Sequence, residues 1–159
     1  MGPRDAPAAD PPAVLSESTA MLAARVARLA GDLLAEALAP LGLRVRHFGV
    51  LSALAEGGPA SQQALGRRLD IDRTTMVATV DQLEQLGLVA RKPDSSDRRA
   101  YRVELTARGR TTLVRLTGAV AAAERALLVP LASKEQETLR SLLRKVAARD
   151  DADVRATKT

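Results

Sequence analysis

The stretch from residue 61 to residue 109 constrains the fold of this chain more than any other part of its sequence. It opens with two short patterns of helical period, Gln62–Leu69 and Arg73–Leu86, which only the polar break at residues 70–72 separates. Ser61 and Asp72 stand directly before these patterns, and both residue types favour the N-cap position of a helix. The sequence therefore predicts a helix, a tight turn and a second helix.

Two strand-like runs follow the second helical pattern. Leu88–Lys92 is the first, and Tyr101–Leu105 alternates apolar with charged residues at the period of a half-buried strand. The loop between them is made of turn-forming and charged residues. Five basic and two acidic residues lie between residues 88 and 102, which gives this predicted hairpin a local charge of +3. A helix, a turn, a second helix and a basic β-ribbon, in this order, are typical of a domain that binds duplex DNA.

Further helices are predicted on both sides of this stretch. Ser16 is a candidate N-cap for a long helix that Pro40 limits. A second helix covers about Arg44–Glu56, and its spacing predicts that Val45, Phe48, Leu51 and Leu54 point inward. After the ribbon, Thr106 is predicted to cap a helix that runs to about residue 128. Ser133, with a glutamine three residues later, gives a capping-box pattern for a last helix.

The first and last helices carry leucine-rich apolar stripes that two kinds of contact could explain. They could form part of an ordinary intramolecular core. Both helices, however, lie far in sequence from the helix-turn-helix and are unusually rich in leucine and alanine. Burial between two copies of the chain explains them better, and a two-fold dimer also suits palindromic DNA.

The composition supports a helical protein and excludes several kinds of site. The 159 residues are 46% hydrophobic but only 1% aromatic, so leucine, valine and alanine must build the core, which suits helices. The absence of cysteine excludes disulfides, thiol redox switches and cysteine zinc sites. With one histidine, no metal and no cofactor are expected. The net charge of +5 favours a polyanionic partner such as nucleic acid.

Neither end of the chain is predicted to belong to the fold. Residues 1–15 are rich in proline and alanine and have no apolar core of signal-peptide length, so we expect a disordered tail. Residues 150–159 are expected to fray. No stretch approaches 18 uninterrupted apolar residues, and the sequence therefore predicts a cytoplasmic protein with no membrane span.

The residues from Ala64 to Gly109 resemble the winged-helix core of the MarR family of bacterial transcription regulators. The most specific match is Asp97-Arg98-Arg99 followed by Leu105-Thr106-x-x-Gly109. The order of elements extends the resemblance to residues 16–149. It implies an all-α fold with a small β-wing, a winged helix-turn-helix, in a homodimer with interleaved N- and C-terminal helices. The DNA-binding domain would span residues 43–106, and the dimerisation helices residues 16–42 and 107–149.

The predicted second helix and the hairpin supply the candidate DNA contacts. The resemblance places Arg73, Thr74 and Thr75 in the major groove, where such side chains can read base edges. Arg98 and Arg99 at the hairpin tip suit a narrow, strongly negative minor groove. Each of these residues could instead be ordinary solvated surface. Phosphate or positioning contacts are expected from Ser61, Gln62, Gln63, Arg67 and Lys92.

Two aspartates are predicted to brace the wing. The resemblance pairs Asp72 with Arg99, which would hold the wing against the recognition helix. Asp97 would repel DNA phosphates if it stood alone. We therefore expect it to orient one of the neighbouring arginines rather than to contact DNA.

The resemblance also implies a small aromatic acid as an effector, bound between the dimer helices and the winged lobe. Arg44 and Arg46 could pair with its carboxylate, and His47 could supply a polar group. The alternative for His47 is a partly buried histidine whose ring is satisfied by a backbone carbonyl.

The sequence therefore predicts a DNA-binding regulator, most simply a repressor, that binds palindromic operators as a homodimer and is relieved by a small molecule. An enzyme is a first alternative, but the length leaves no room for a catalytic domain and no phosphate loop or nucleophile–base set is present. A non-specific architectural DNA-binding protein is the second. Its binding would follow salt and DNA shape with little regard to base order.

Overall fold

The computed structural model describes residue 12 and residues 17–93 and 101–148. Helices α1 to α6 comprise Thr19–Leu38, Val45–Gly57, Gln62–Leu69, Arg73–Gln85, Ala107–Leu128 and Ser133–Ala147, and strands β1 and β2 comprise Val89–Pro93 and Tyr101–Leu105. A short 3-10 turn, Ala39–Leu41, follows α1 and contains the proline that was predicted to limit this helix. The predicted fold class, helical with a small β-ribbon, is confirmed. The chain divides into two compact units after Ala123.

Helices α2, α3 and α4 pack around an aliphatic core. In α4, Met76, Val80 and Leu83 follow at spacings of four and three and are at most 1% exposed, as their helical period predicted. The expectation that Val45 points inward is wrong, since this side chain is 47% exposed. The buried face of α2 begins instead at His47, and Val45 lies two residues away on another face of the first turn.

The ribbon is an antiparallel pair whose register sets Val89 opposite Leu105 and Pro93 opposite Tyr101. Leu105 and Val103 are buried, as the alternating pattern indicated, but Tyr101 is 59% exposed. Tyr101 lies at the far end of the ribbon from the Val89–Leu105 pair, which is buried in the core. Ala60 adds a third backbone to β2, because its N–H and C=O pair with Val103 at 3.1 and 2.8 Å.

The Leu-Thr-x-x-Gly motif joins α5 to the start of β1. The Thr106 hydroxyl donates to the Gly87 carbonyl at 2.8 Å and accepts from the Gly109 N–H at 2.9 Å, so it caps α5 as predicted. The Thr106 N–H donates to the Leu88 carbonyl at 3.1 Å. A Cβ atom on Gly109 would lie only 2.0 Å from that same carbonyl oxygen. Only glycine allows this approach.

The last helix begins differently from the prediction. Ala132 occupies the N-cap position of α6, and its N–H donates to Glu135 Oε2 at 2.7 Å. The predicted capping box of Ser133 with Gln136 is therefore wrong by one residue, because the ionised Glu135 is the stronger acceptor. Gln136 Nε2 donates instead to the carbonyls of Leu128 and Leu131, at 3.2 and 2.9 Å. The predicted N-cap of α1, Ser16, lies outside the described residues.

Helices α1 and α6 each retain an apolar face that is not buried within its own unit. On α1, Leu22, Val26 and Leu29 are 40–42% exposed, and on α6, Leu142 and Val146 are 53% and 69% exposed. In the described part of the chain, no single helix is long and apolar enough to cross a membrane. One bent pair, α5 together with α6, satisfies length and composition only when its two members are combined.

Candidate nucleic-acid interface

The first turn of α4 projects polar side chains from a capped helix start. Asp72 Oδ1 accepts from the Thr75 N–H at 2.9 Å, which confirms Asp72 as the N-cap. Hydrogen bonds from Thr75, first from its side chain and then from its backbone, lower the pKa of Asp72. The carboxylate therefore stays ionised at the positive end of the helix. Arg73 and Thr74 are exposed beside it, and Thr75 is half-buried.

Helix α3 is held close to α4 by a short turn. Ser61 caps α3, since its Oγ accepts from the Ala64 N–H at 3.2 Å. The turn passes through Asp70 with a left-handed φ of 51° and brings Ile71 against α3, where its N–H donates to the Gly66 carbonyl at 2.9 Å. A Cβ on Gly66 would lie 2.9 Å from the Ile71 carbonyl oxygen, so glycine at this position permits the close approach of the turn to α3.

A concave surface between α3 and α4 brings together four of the predicted DNA contacts. It has a volume of about 450 Å³, and its polar lining comes from Gln62, Gln63, Arg67 and Arg73. Ile71, Met76 and Val77 supply apolar atoms. The predicted phosphate contacts of α3 therefore face the same space as the predicted base contact Arg73.

The three cations on the two described strands of the ribbon have protein partners. Lys92 Nζ lies 2.6 Å from Glu104 Oε1, and the Arg102 guanidinium donates to the Pro59 carbonyl at 3.5 Å. Arg91 pairs with both Asp81 and Glu84 of α4. Part of the positive charge that the sequence assigns to this ribbon is thus neutralised inside the protein. Whether Lys92 also contacts phosphate stays a prediction.

The tip of the hairpin is not part of the described structure. Asp97, Arg98 and Arg99 lie outside the described residues, and so does the predicted pairing of Asp72 with Arg99. Their predicted contributions to minor-groove binding and to wing bracing therefore rest on the sequence.

The two arginines predicted for an effector pocket line a second cavity. This cavity has a volume of about 550 Å³, lies where the end of α1 and the 3-10 turn meet the start of α2, and is lined by Arg44 and Arg46. Its other walls are mainly apolar, including Ala35, Leu43 and Val45. The Nε atom of Arg46 is buried and has no hydrogen-bond partner among the described residues.

His47 lies outside this cavity and is only 3% exposed. Its Nδ1 accepts from the Arg44 N–H at 3.0 Å, which places the ring proton on Nε2. Nε2 then donates to Gln82 Oε1 at 2.9 Å, and Arg46 donates to the same oxygen at 3.2 Å. Burial, followed by the charges of Arg46 and Arg44, lowers the pKa of His47. The start of α2 is thus linked to α4 through one glutamine.

Sequence reasoning missed the partners on the second half of α4. Asp81 and Glu84 stand three residues apart and therefore share a helix face, and Gln82 faces α2. A signal was present in the sequence. Two carboxylates on a helix that is to approach DNA phosphates need a cation nearby, and Arg91 follows at the start of the ribbon. Among the described residues, no group of three or more histidine or carboxylate side chains could hold a metal ion.

Known proteins resemble this chain in sequence and in structure. A sequence model of the MarR family matches residues 41–100. The chain is 34% identical over 103 residues to a proposed transcriptional regulatory protein for the hcr operon of Thauera aromatica. This match covers 65% of the chain but only 62% of that protein, less than two thirds of its length.

The solved structures cover most of the chain. A probable transcriptional regulator from Pseudomonas aeruginosa is 32% identical, with a TM-score of 0.76, over 83% of this chain and 98% of that one. The repressor CouR bound to a 23-mer DNA duplex is 32% identical, with a TM-score of 0.78, over 84% and 95%. CouR from Rhodococcus jostii RHA1 bound to p-coumaroyl-CoA matches at 30% identity and a TM-score of 0.73, over 86% and 96%. Together with the winged helix-turn-helix described above, these similarities show that the chain belongs to the MarR family of transcriptional regulators.

Proposed function

We propose that this chain is a sequence-specific DNA-binding repressor that acts in the bacterial cytoplasm and has no catalytic activity. The observation that carries the proposal is the start of α4, where Arg73 and Thr74 are exposed beside the Asp72 cap. The buried Met76 and Val80 anchor the same helix in the domain core. A helix that is fixed at its back and polar at its N-terminus can present those side chains to base edges in the major groove.

The surrounding polar residues would hold this helix in register on the duplex. Gln62, Gln63 and Arg67 line the concave surface that Arg73 also lines, and Ser61 caps the helix that carries them. Contacts of these groups with phosphates would orient the protein without reading sequence. We propose that Arg98 and Arg99 enter the minor groove, that Asp72 and Asp97 brace the wing, and that Lys92 binds phosphate.

The protein is proposed to act as a homodimer. The support is the exposed apolar faces of α1 and α6, where side chains such as Leu22, Val26 and Leu142 are 41–53% exposed in the single chain. Covering them with a second copy would remove apolar surface from water. A two-fold dimer would set two recognition helices on palindromic half-sites about 10 bp apart or a multiple of that spacing.

An anionic small molecule with an apolar body is the proposed effector. Arg44 and Arg46 offer cations at the cavity beside α2, whose remaining walls are mainly apolar. Because Arg46 also donates to Gln82 of the recognition helix, a ligand that drew this guanidinium away would change a contact of α4. Such a ligand can relieve repression only through its difference in affinity between the DNA-binding and the non-binding state. CouR, solved with p-coumaroyl-CoA, suggests the chemistry to try first.

The test is fluorescence anisotropy with DNA from upstream of the chain's own gene, compared with a scrambled duplex at two salt concentrations. Tight binding to the native fragment alone, retained near physiological salt, would support a sequence-specific regulator. Equal and steeply salt-dependent binding to both duplexes would instead favour an architectural protein. The bound complex would then be titrated with aromatic acids and their coenzyme A thioesters. Release of DNA by such a compound, but not from an Arg46→Ala variant, would support the effector site.

A further inference from the structure

Arg91 stands at the meeting point of three elements of the winged domain. Its side chain extends from β1 on the face that also carries the buried Val89, because alternate residues of a strand share a face. Nη2 pairs with Asp81 and Nη1 with Glu84, both on α4. The Arg91 backbone N–H donates to Glu84 Oε1 at 3.1 Å. One residue of the ribbon therefore contacts the recognition helix through both its backbone and its side chain.

The third element is the first turn of α3. The amide of Gln62 lies against the Arg91 guanidinium, which offers only donors, so the amide oxygen must face it. In this orientation Gln62 Oε1 accepts from Nη2 at 2.8 Å and from Nε at 2.9 Å. All three guanidinium nitrogens thus have partners, and those partners lie on α3 and α4. Only the planar fork of arginine can serve such a set at once.

Asp81 and Glu84 would be unfavourable in a DNA-binding helix if they stood alone. Their carboxylates would repel phosphates that approach α4. Arg91 lies beside both carboxylates and offsets one of their two negative charges, and its own side chain is only 23% exposed. Partial burial alone would lower the pKa of Arg91, but hydrogen bonds to Asp81 and Glu84 raise it. The guanidinium is held where it is, and it cannot reach a phosphate without leaving these partners.

We propose that Arg91 is a positioning residue for DNA recognition, which fixes the ribbon and Gln62 to the recognition helix so that all three meet the duplex as one unit. This inference rests on the proposed DNA-binding function. It assigns Arg91 a role that differs from that of the predicted contact residues. Its effect on DNA passes through Asp81, Glu84 and Gln62.

The double variant Asp81→Ala/Glu84→Ala gives the decisive test, because two explanations predict opposite signs. If only charge mattered, removal of two carboxylates from a DNA-binding domain would tighten binding. If the carboxylates hold Arg91 in place, the variant binds the native duplex on the order of tenfold more weakly. Alanine favours helix at both positions, so α4 itself is retained. Binding as tight as that of the unmodified protein, or tighter, would overturn the proposal.

Three comparisons sharpen the result. Arg91→Ala should weaken binding to the same degree, and the triple variant should be no weaker than Arg91→Ala, because the three residues act as one cluster. Arg91→Lys should restore little of the affinity. Glu104→Gln is the matched control, since it removes a carboxylate of the ribbon outside the cluster and should not weaken binding. Additive losses in the triple variant would contradict the proposed coupling.

A positioning role can be separated from a contribution to folding alone. Partial unfolding would reduce binding to the native and to the scrambled duplex by the same factor, so their ratio would stay constant. Loss of positioning should lower affinity for the native duplex while electrostatic binding to the scrambled duplex persists, so the ratio falls. An unchanged ratio in the Asp81→Ala/Glu84→Ala protein would refute positioning.

The proposed function could fail while the cluster is real, and hydrogen exchange distinguishes the two. If the unmodified protein prefers no duplex, the regulator proposal fails. Amides of β1 and of the first turn of α3 should still exchange faster in the double variant than in the unmodified protein, with α6 amides unchanged as an internal control. Equal exchange in β1 would show that Arg91 does not hold the ribbon.

Discussion

The first turn of α4 and the ribbon both carry arginine, but the protein uses the two charges differently. Arg73 is exposed and makes no ion pair with any residue that the structure describes. Arg91 has carboxylate or amide partners for each of its guanidinium nitrogens. A count of basic residues treats them alike. The local charge counted from a sequence is therefore an upper limit on the charge that a surface can offer to DNA.

The cause of the difference lies in what faces each residue. Arg73 begins a helix, and its nearest acidic neighbour, Asp72, is occupied as the N-cap of that helix. Arg91 and Lys92 lie on a strand whose two faces meet acidic residues from other parts of the chain. The position of the first turn of α4 depends on how the rest of α4 is packed. The ribbon contributes to that packing through Arg91. Variants that affect one region and not the other can therefore separate direct contact with DNA bases from the packing that holds α4 in place.

The largest effect is expected from Gly109→Ala, which disturbs the packing of α5 against the residue that precedes β1. Its Cβ would lie 2.0 Å from the Leu88 carbonyl oxygen, so the start of α5 and the start of β1 could not both keep their places. We expect the free energy of unfolding to fall by about 3 kcal/mol, as for overpacking against a rigid backbone. Urea denaturation followed by circular dichroism measures it. Gly118→Ala is the matched control on the same helix, where a Cβ would meet nothing within 4 Å. That variant should gain up to about 1 kcal/mol, and a loss as large as that of Gly109→Ala would contradict the contact argument.

Arg73→Ala removes an exposed side chain from the first turn of α4 and should leave the packing of the domain intact. Binding to the native duplex should weaken by roughly 10- to 100-fold, the range for loss of one good base contact, and base preference should relax. The free energy of unfolding should change by less than about 0.5 kcal/mol, because the side chain is exposed. Anisotropy on the native and scrambled duplexes gives both affinities. A loss that is equal on all sequences would make Arg73 a phosphate contact.

Local patterns predicted the elements and the reading turn. Ser61, Asp72 and Thr106 were identified as caps from residue type and position, and all three make the expected hydrogen bonds. Helix boundaries came within about one residue through the winged domain, because each N-cap signal acts on residues directly after it. The placement of Arg73 on an exposed helix start follows from the same short-range information.

Contacts between distant elements could not be predicted in this way. His47 lies 35 residues from Gln82, and its burial depends on how α2 packs against α4. The pairing of Arg91 with Asp81 and Glu84 requires the ribbon to fold back on α4. At the start of α6, Ser133 and Glu135 offered competing signals, and the stronger acceptor determined the register. Such outcomes depend on tertiary geometry or on a balance between neighbours.

A smaller loss of stability, through the contact between α2 and α4, is expected from acidification. Burial and the charges of Arg46 and Arg44 lower the pKa of His47 below its ordinary value of 6.5. Between the folded-state pKa and 6.5, His47 of the unfolded chain binds a proton that His47 of the folded protein does not. Stability is therefore complete above about pH 6.5 and falls as the pH drops through the folded-state pKa. Protonated Nδ1 could no longer accept from the Arg44 N–H. Urea midpoints measured between pH 7.5 and pH 5 would follow this loss.

The control for this titration is His47→Gln, whose amide can accept from the Arg44 N–H and donate to Gln82 at every pH in the range. Its stability should be nearly flat over the window in which that of the unmodified protein falls. Identical pH profiles for the two proteins would assign the acid sensitivity to other groups.

The smallest effect concerns Lys92, which is both a predicted phosphate contact and the partner of Glu104 at 2.6 Å. The Lys92 side chain is 64% exposed, so the ion pair itself should contribute less than about 1 kcal/mol to stability. Glu104→Gln would free the ammonium group. We expect affinity for the native and the scrambled duplex to rise together by about two- to fivefold at low salt, and the gain to vanish at high salt. In the Glu104→Gln background, Lys92→Gln should abolish the gain. If Glu104→Gln leaves DNA binding unchanged at low salt, Lys92 stabilises the ribbon and does not contact the duplex. Of the two regions, as far as the structure describes them, only the first turn of α4 would then offer DNA a cation without an ion pair.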